Sequence, residues 1–327
     1  MTHAHDHHHH GPHGHAHINL RDIADNRLRR IATFASVSVA ILLVGAKMAA
    51  WLMTDSVAML SSLLDSAVDL MASLVTAYGV ANAMRPPDRN HRYGHGKAEP
   101  LAALLQAAFI VGSSVLLAFE AASRFYHPHE IQNEMIGYGV MALAIILSLA
   151  LVAFQSHVVK STGSMAIGAD RMHYVGDVAV NLAVVVSFVL YTSTGIAWLD
   201  PVLAVGIAAW LLLTSLRIMG QAMNALMDTE LPEAERERII AIVTRQSGVR
   251  GVHDMRTRSD SDRIFVDMHV EMNGDLTLRA AHDLSEKIIR AVNAEIPNAD
   301  MVIHQDPAGL VEDRRDEQIE RAEAAEG

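Results

Sequence analysis

Apolar and polar positions fall in long blocks over the first two-thirds of the chain. Apolar runs occupy about 31–53, 57–84, 100–122, 135–158, 173–193 and 200–226. Each is long enough to cross a bilayer core as a helix, allowing for tilt. After Asp228 the blocks shorten. Glu233 to Gln246 reads as a helix, with Ile239, Ile240 and Val243 on its apolar side. Val252 to Arg258 reads as a strand and Ser259 to Asp262 as a turn. From Arg263 to Met272 the pattern alternates: Ile264, Val266, Met268 and Val270 face one way, Phe265, Asp267, His269 and Glu271 the other. Leu278 to Ile296 is an amphipathic helix, and Met301 to His304 a short last strand. The pattern predicts a polytopic α-helical membrane protein with six transmembrane helices. It adds a C-terminal α+β domain of ferredoxin-like order αββαβ, an open sheet with helices on one face.

Charge orients the spans. Arg21, Arg27, Arg29 and Arg30 precede the first, and Arg85, Arg89, Arg92 and Lys97 fill the second loop. Lys160 and Arg171 flank the fourth loop, whereas the first and fifth loops carry no Lys or Arg. Basic loops stay cytoplasmic, so both termini are expected on the cytoplasmic side of a cell membrane. The expected boundaries are a disordered His-rich tail over 1–20, a membrane domain over 21–230, a cytoplasmic metal-binding domain over 231–308 and an acidic disordered tail over 309–327. The net charge of −11 argues against a nucleic-acid partner, and much of the acid lies in that last tail. The chain has no cysteine, which leaves nitrogen and oxygen as its strong metal ligands. Nine of its 19 histidines lie within residues 1–17. Ala, Asp, Gly and Pro interrupt them, which favours a natural, weak metal-binding tail over a tag. The chain opens on this His-rich stretch rather than on a basic region and apolar core, so no cleavable signal peptide is expected.

Two spans carry paired metal-type ligands. Asp65 and Asp69 lie four apart in the second, and His173 and Asp177 four apart in the fifth. Residues four apart share a helix face, so two helices can close a four-ligand cage. Carboxylates in hydrocarbon are costly and mark a pathway or site. Interhelical hydrogen bonding is the competing role for such residues, and Ser61, Ser62, Ser73 and Asn181 fit it. Three acids and a histidine in two such pairs are too expensive for that role alone. The set suits a four-coordinate divalent ion such as Zn²⁺, with Fe²⁺, Cd²⁺ and Mn²⁺ left open. With neutral histidine the empty cage carries three negative charges in a low-dielectric place, so protons occupy it. A divalent ion must expel them to bind. Asp170, one turn before His173, is expected near the cytoplasmic mouth as a charge for arriving ions or a helix cap.

In the second loop Asp88, His91 and His95 have spacings that permit metal ligation, against the alternative of a solvated loop. His253, His269, His282, His304 and Asp306 are scattered in the last domain, and spacing alone gives none of them a ligand role.

Asp-x₃-Asp in the second span and His-x₃-Asp in the fifth, with six spans and an α+β domain, resemble the cation diffusion facilitator family. The Asp-Asp-His-Asp set resembles its bacterial zinc/iron efflux branch. So do the loop from Arg85 to Lys97 and the segments from Val252 to Arg258 and Ile303 to Pro307. The likeness runs from about Arg21 to Pro307. It implies an inner-membrane homodimer that exchanges divalent metal for protons and is not an enzyme. It implies a second metal site at Asp88, His91 and His95. It implies a binuclear site on His253, His269, His282, His304 and Asp306, with the Asp bridging two ions near the dimer interface and Gln305 as a further contact. It also implies a charge pair, Lys97 with Asp228, that hinges the two domains; snorkelling to headgroups is the alternative.

Two other classes compete. A membrane metalloprotease needs His-Glu-x-x-His, and His129-Glu130 is followed by Asn133 where that motif needs histidine. A metal sensor or scaffold has no need of three buried acids.

Overall fold

The architecture is that of a computed structural model, which describes residues 20–126, 135–194, 198–260, 263–310 and 314–326. Six long helices come first: α1 (Leu20–Thr54), α2 (Val57–Ala83), α3 (Ala98–Tyr126), α4 (Met135–Thr162), α5 (Met165–Thr194) and α6 (Leu199–Leu226). Among the described residues, five are long and apolar enough to cross a membrane: Ala24–Thr54, Met59–Ala83, Ala98–Ser123, Gly139–Thr162 and Leu199–Leu226. The sixth expected span, α5, is 30 residues long but carries Asp170, Arg171, His173 and Asp177. It is the polar helix of the bundle, and its partners are the other helices.

Small residues line the inside. Ala32, Ala72, Ala103, Ala107 and Ala121 are fully buried, while Phe34, Tyr78, Leu116 and Phe119 are 70–76% exposed. That inversion of the water-soluble pattern is how helices pack in lipid, where close backbone approach replaces the hydrophobic drive. At Gly79 an added Cβ would stand 2.3 Å from Ala102 Cβ, so α2 meets α3 with no room for a side chain. The turn from α4 to α5 uses Gly163 at φ 66°, a conformation that favours glycine. Ser164 Oγ then accepts the Ile167 N–H at 3.3 Å and starts α5.

The last domain runs α7 (Glu233–Thr244), β1 (Gly251–Ser259), β2 (Ile264–Met272), α8 (Leu278–Glu295) and β3 (Ala299–Pro307). The sheet order is β1-β2-β3, with β1 antiparallel and β3 parallel to β2. Val266, Met268, Val270 and Met272 turn one face of β2 into a core with Ile239, Ile242 and Val243 of α7 and Ile288 and Val292 of α8. The other face keeps the polar residues. β3 is longer than its sequence suggests, because parallel pairing with β2 extends from Ala299 to Pro307.

One expectation fails at the C-terminus. The acidic stretch expected to be disordered forms α9 (Arg315–Glu326). Asp316 and Glu317 sit in its first turn, where the helix dipole favours negative charge. Arg321 and Glu317 pair at 2.7 Å, one turn apart. The helix is tied to β1 by two reciprocal bonds: Asp254 N–H to Asp316 Oδ2 at 2.7 Å and Asp316 N–H to Asp254 Oδ1 at 3.0 Å. The His-rich segment 1–17, His127 and His129 lie outside the described residues.

Candidate metal centres

Asp69 on α2 and His173 and Asp177 on α5 converge within the bundle, their ligand atoms all within 4.8 Å of one another. His173 Nε2 stands 2.9 Å from Asp69 Oδ1 and 3.8 Å from Asp177 Oδ2. The His173 side chain is 6% exposed, those of Asp69 and Asp177 25% and 34%. Two carboxylates and an imidazole around one point make a nitrogen–oxygen set for a divalent ion. Asp65, expected as the fourth member, is exposed and stays out of this group. At its level the interior position on α2 belongs to Ser66, 2% exposed, whose Oγ accepts from Lys47 Nζ at 2.6 Å. Lys47 also donates to the Ser62 carbonyl at 3.2 Å. This α1 ammonium was missed in the sequence; a lone cation deep in an apolar run was its signal.

Asp170 is not a charge at a mouth. It is 1% exposed and sits where α1 to α4 meet α5. Gln155 Nε2 donates to its Oδ2 at 2.6 Å and Ser36 Oγ to the same oxygen at 2.7 Å. Gln106 Nε2 reaches Oδ1 at 3.4 Å and Ser73 Oγ at 3.5 Å. Tyr174 OH adds a bond with Ser73 Oγ at 3.1 Å and donates to the Ser36 carbonyl at 3.3 Å.

In the loop between α2 and α3, Asp88, His91 and His95 do come together. Asp88 Oδ1 lies 3.3 Å from His91 Nδ1, and Oδ2 lies 3.4 Å from His95 Nε2. Backbone N–H groups of His91 and Asn90 donate to Asp88 Oδ1 at 2.7 and 2.8 Å. These bonds hold the Asp88 carboxyl below its ordinary range, so it stays ionised and ready to ligate.

Strand register builds the third cluster. His253 of β1 pairs with His269 of β2, which pairs with His304 of β3, so three imidazoles stand in one row across the sheet. Asp306 faces them: its carboxylate lies 2.9 Å from His269 Nδ1, 3.3 Å from His304 Nε2 and 3.5 Å from His253 Nε2. His253 Nδ1 is buried with no hydrogen bond. That orphaned nitrogen and a carboxylate shared by three rings fit a metal-binding role. Glu271, two residues past His269, also approaches His253 Nδ1, at 3.5 Å, and was not singled out from sequence. His282 stays outside this group. On α8 the buried stripe runs through Ser285, Ile288 and Val292, which leaves His282 exposed. Gln305 Nε2 donates to Ser285 Oγ at 2.9 Å rather than facing the histidines.

The two halves of the chain meet at a charge pair. Lys97 Nζ lies 2.8 Å from Asp228 Oδ1 and donates to the Leu226 carbonyl at 3.1 Å. Arg258 of β1 reaches Asp228 Oδ2 at 3.6 Å and lies over the Tyr93 and Phe265 rings, 4.6 and 4.7 Å from their centres.

Comparison with known proteins covers both halves. The cation efflux transmembrane domain matches residues 33–227, and the cytoplasmic domain of cation efflux proteins matches residues 231–308. The protein named cation-efflux pump FieF in Shewanella oneidensis is 40% identical over 278 residues, covering 85% of this chain and 94% of that one. The protein of the same name in Cronobacter sakazakii is 40% identical over 285 residues, covering 87% and 95%.

Proposed function

Since the chain belongs to the cation efflux family, whose members are membrane transporters rather than enzymes, we propose that it exports Zn²⁺ from the cytoplasm in exchange for protons, as a homodimer in a bacterial inner membrane. Fe²⁺, Cd²⁺ and Mn²⁺ are the alternative cargoes, because an oxygen-rich set is harder than an all-nitrogen one and admits them. The observation that carries this reading is the convergence of Asp69, His173 and Asp177 inside a bundle of membrane-length helices. Such a group is expensive in lipid unless an ion uses it.

The chemistry supports exchange. The carboxylates of Asp69 and Asp177 cannot both stay ionised beside a neutral imidazole around an empty low-dielectric site, so protons hold it until metal displaces them. Asp65 joins the set when an ion draws the exposed carboxylate inward. The basic loops orient the chain with both termini in the cytoplasm. There Asp88, His91 and His95 collect ions beside the membrane. The row of His253, His269 and His304 with Asp306 holds resident metal that steadies the dimer. His282 lies outside that row, and its metal contact would have to come with rearrangement or from the second protomer. Metal in this row biases transport by binding one shape better than the other. Lys97 and Asp228 transmit the bias as a hinge.

The test is transport itself. Vesicles containing the full chain and a zinc-sensitive dye should accumulate Zn²⁺, and vesicles with Asp69→Asn should not. Competition by Fe²⁺, Cd²⁺ and Mn²⁺ ranks the cargoes. Absence of Zn²⁺ movement in the wild type contradicts the proposal.

A further inference from the structure

Three layers separate the cage from the basic, cytoplasm-facing end of the bundle. Outermost are Arg29 and Glu99, 3.6 Å apart and both buried, with Ser164 Oγ donating to Glu99 Oε1 at 2.5 Å. Next is an apolar plug of Ala32, Val80, Ala102, Val158, Ala166 and Ile167, drawn from α1 to α5. Innermost is the Asp170 carboxylate with its donors. Asp170 precedes His173 by about one turn on α5, and Ser73 follows Asp69 by about one turn on α2. An ion climbing between α2 and α5 therefore meets Asp170 immediately before the cage.

The innermost layer differs in kind from the plug. Apolar contacts can slide with little change in energy. A buried carboxylate stripped of its donors is costly, and so are the donors it leaves behind. The four donors come from α1, α2, α3 and α4, while the carboxylate is on α5. The layer thus holds all five helices together or lets them part, with no stable intermediate. Gln106 Oε1 and Gln155 Oε1, on the same amides that donate, are buried with no hydrogen bond. Those oxygens give the amides a second role: facing a cation while Asp170 is engaged by it.

We propose that Asp170 is the latch on the cytoplasmic side of the cage, a positioning residue whose bonds to four helices close the path, and that the arriving divalent cation opens it. The cation satisfies the carboxylate as the donors let go, then passes to Asp69, His173 and Asp177. Asp170 returns to its donors and the path closes behind the ion. This rests on the transport reading and on its orientation.

The experiment reads whether the helices that Asp170 ties together part on the cytoplasmic side. The chain has no cysteine, so Thr76→Cys gives a single label site. Thr76 is 1% exposed on α2, one turn to the cytoplasmic side of Ser73, and its Oγ1 has no hydrogen bond. Vesicles of each sidedness are treated with a hydrophilic maleimide in metal-free buffer. Adding Asp170→Ala should speed labelling from the cytoplasmic side by about tenfold, the scale of one lost bond to a charged group. Labelling from the other side should not change. Asp170→Asn should speed it less, because Gln155 can flip and accept from the new amide. Gln155→Ala, which leaves Asp170 in place, should speed it as well and serves if the Asp170 variants fold poorly. In the Thr76→Cys chain with Asp170 intact, Zn²⁺ below saturation should also speed cytoplasmic labelling. Zn²⁺ affinity at the cage should change by less than the roughly tenfold that losing even an outer partner of a ligand costs, since neither a ligand nor such a partner is removed. Equal labelling rates in all variants would overturn the latch, and so would loss of cage affinity in Asp170→Asn, which would make it a ligand. If the wild-type chain moves no Zn²⁺, the transport reading fails; labelling rates still judge the latch separately.

Discussion

His173 Nε2 and Asp69 Oδ1 are 2.9 Å apart, the contact that joins α5 to α2 at the cage. Asp65, one turn along α2, takes no part in it. The two aspartates are therefore unequal in the structure. Replacing Asp69 by Asn should reduce Zn²⁺ transport by more than about 100-fold, beyond the usual cost of losing an outer partner of a metal ligand. Asp65→Asn should cost about tenfold. Initial rates in vesicles at matched protein content check this; equal losses would mean that Asp65 already sits in the cage.

The Lys97–Asp228 pair is 41% exposed at each side chain. A pair this open contributes no more than about 1 kcal/mol to stability. Lys97→Ala should therefore leave the melting temperature nearly unchanged while slowing transport, if the pair acts as a hinge. The double exchange Lys97→Asp with Asp228→Lys should recover part of the rate. A rate that tracks the melting temperature across the wild type and the two variants would reduce the pair to a structural contact.

His253 has an orphaned Nδ1 and lies in the row that Asp306 serves. His253→Ala should lower the bound metal count of the full-length protein and shift the metal concentration at which transport begins. Elemental analysis after gel filtration measures the first, and a zinc titration of transport the second. His282→Ala should change the count less in the free protomer, because His282 lies outside the row.

The α9 contact gives a pH prediction. Burial works against ionisation of Asp254, but the backbone N–H groups of Asp316 and Arg315 outweigh it and hold the carboxyl below its ordinary value of 3.8. A depressed native value means that docking stability is present above the ordinary value and lost as pH falls through the native one. Protection of α9 from hydrogen exchange should thus persist down to pH about 4. Asp254→Asn should weaken docking by about 1 kcal/mol at neutral pH, as expected of a charge-assisted bond near solvent. Protection lost well above the carboxylate range would contradict the bond.

The helical runs, the strand alternation around His269 and the two paired-ligand spans were readable because each is a local period. The His253–His269–His304 row was not, since register between strands is a tertiary property. Asp170 was misplaced for the same reason: its donors Ser36, Ser73, Gln106 and Gln155 sit on four other helices. Lys47 carried a signal in its rarity, but only packing shows that it reaches Ser66 on the turn that also holds Asp65. The tail misled through composition. Its charges read as solvation, while Glu317–Arg321 and the Asp316–Asp254 exchange turn them into a docked helix.

The central claim is that metal and protons compete for one cage. It is tested most directly by loading vesicles with zinc-sensitive and pH-sensitive dyes and imposing a Zn²⁺ gradient with no initial pH difference. The account predicts Zn²⁺ movement in one direction and proton movement in the other, both absent in Asp69→Asn. Zn²⁺ movement with no opposing proton flux, once membrane potential is clamped, would contradict it.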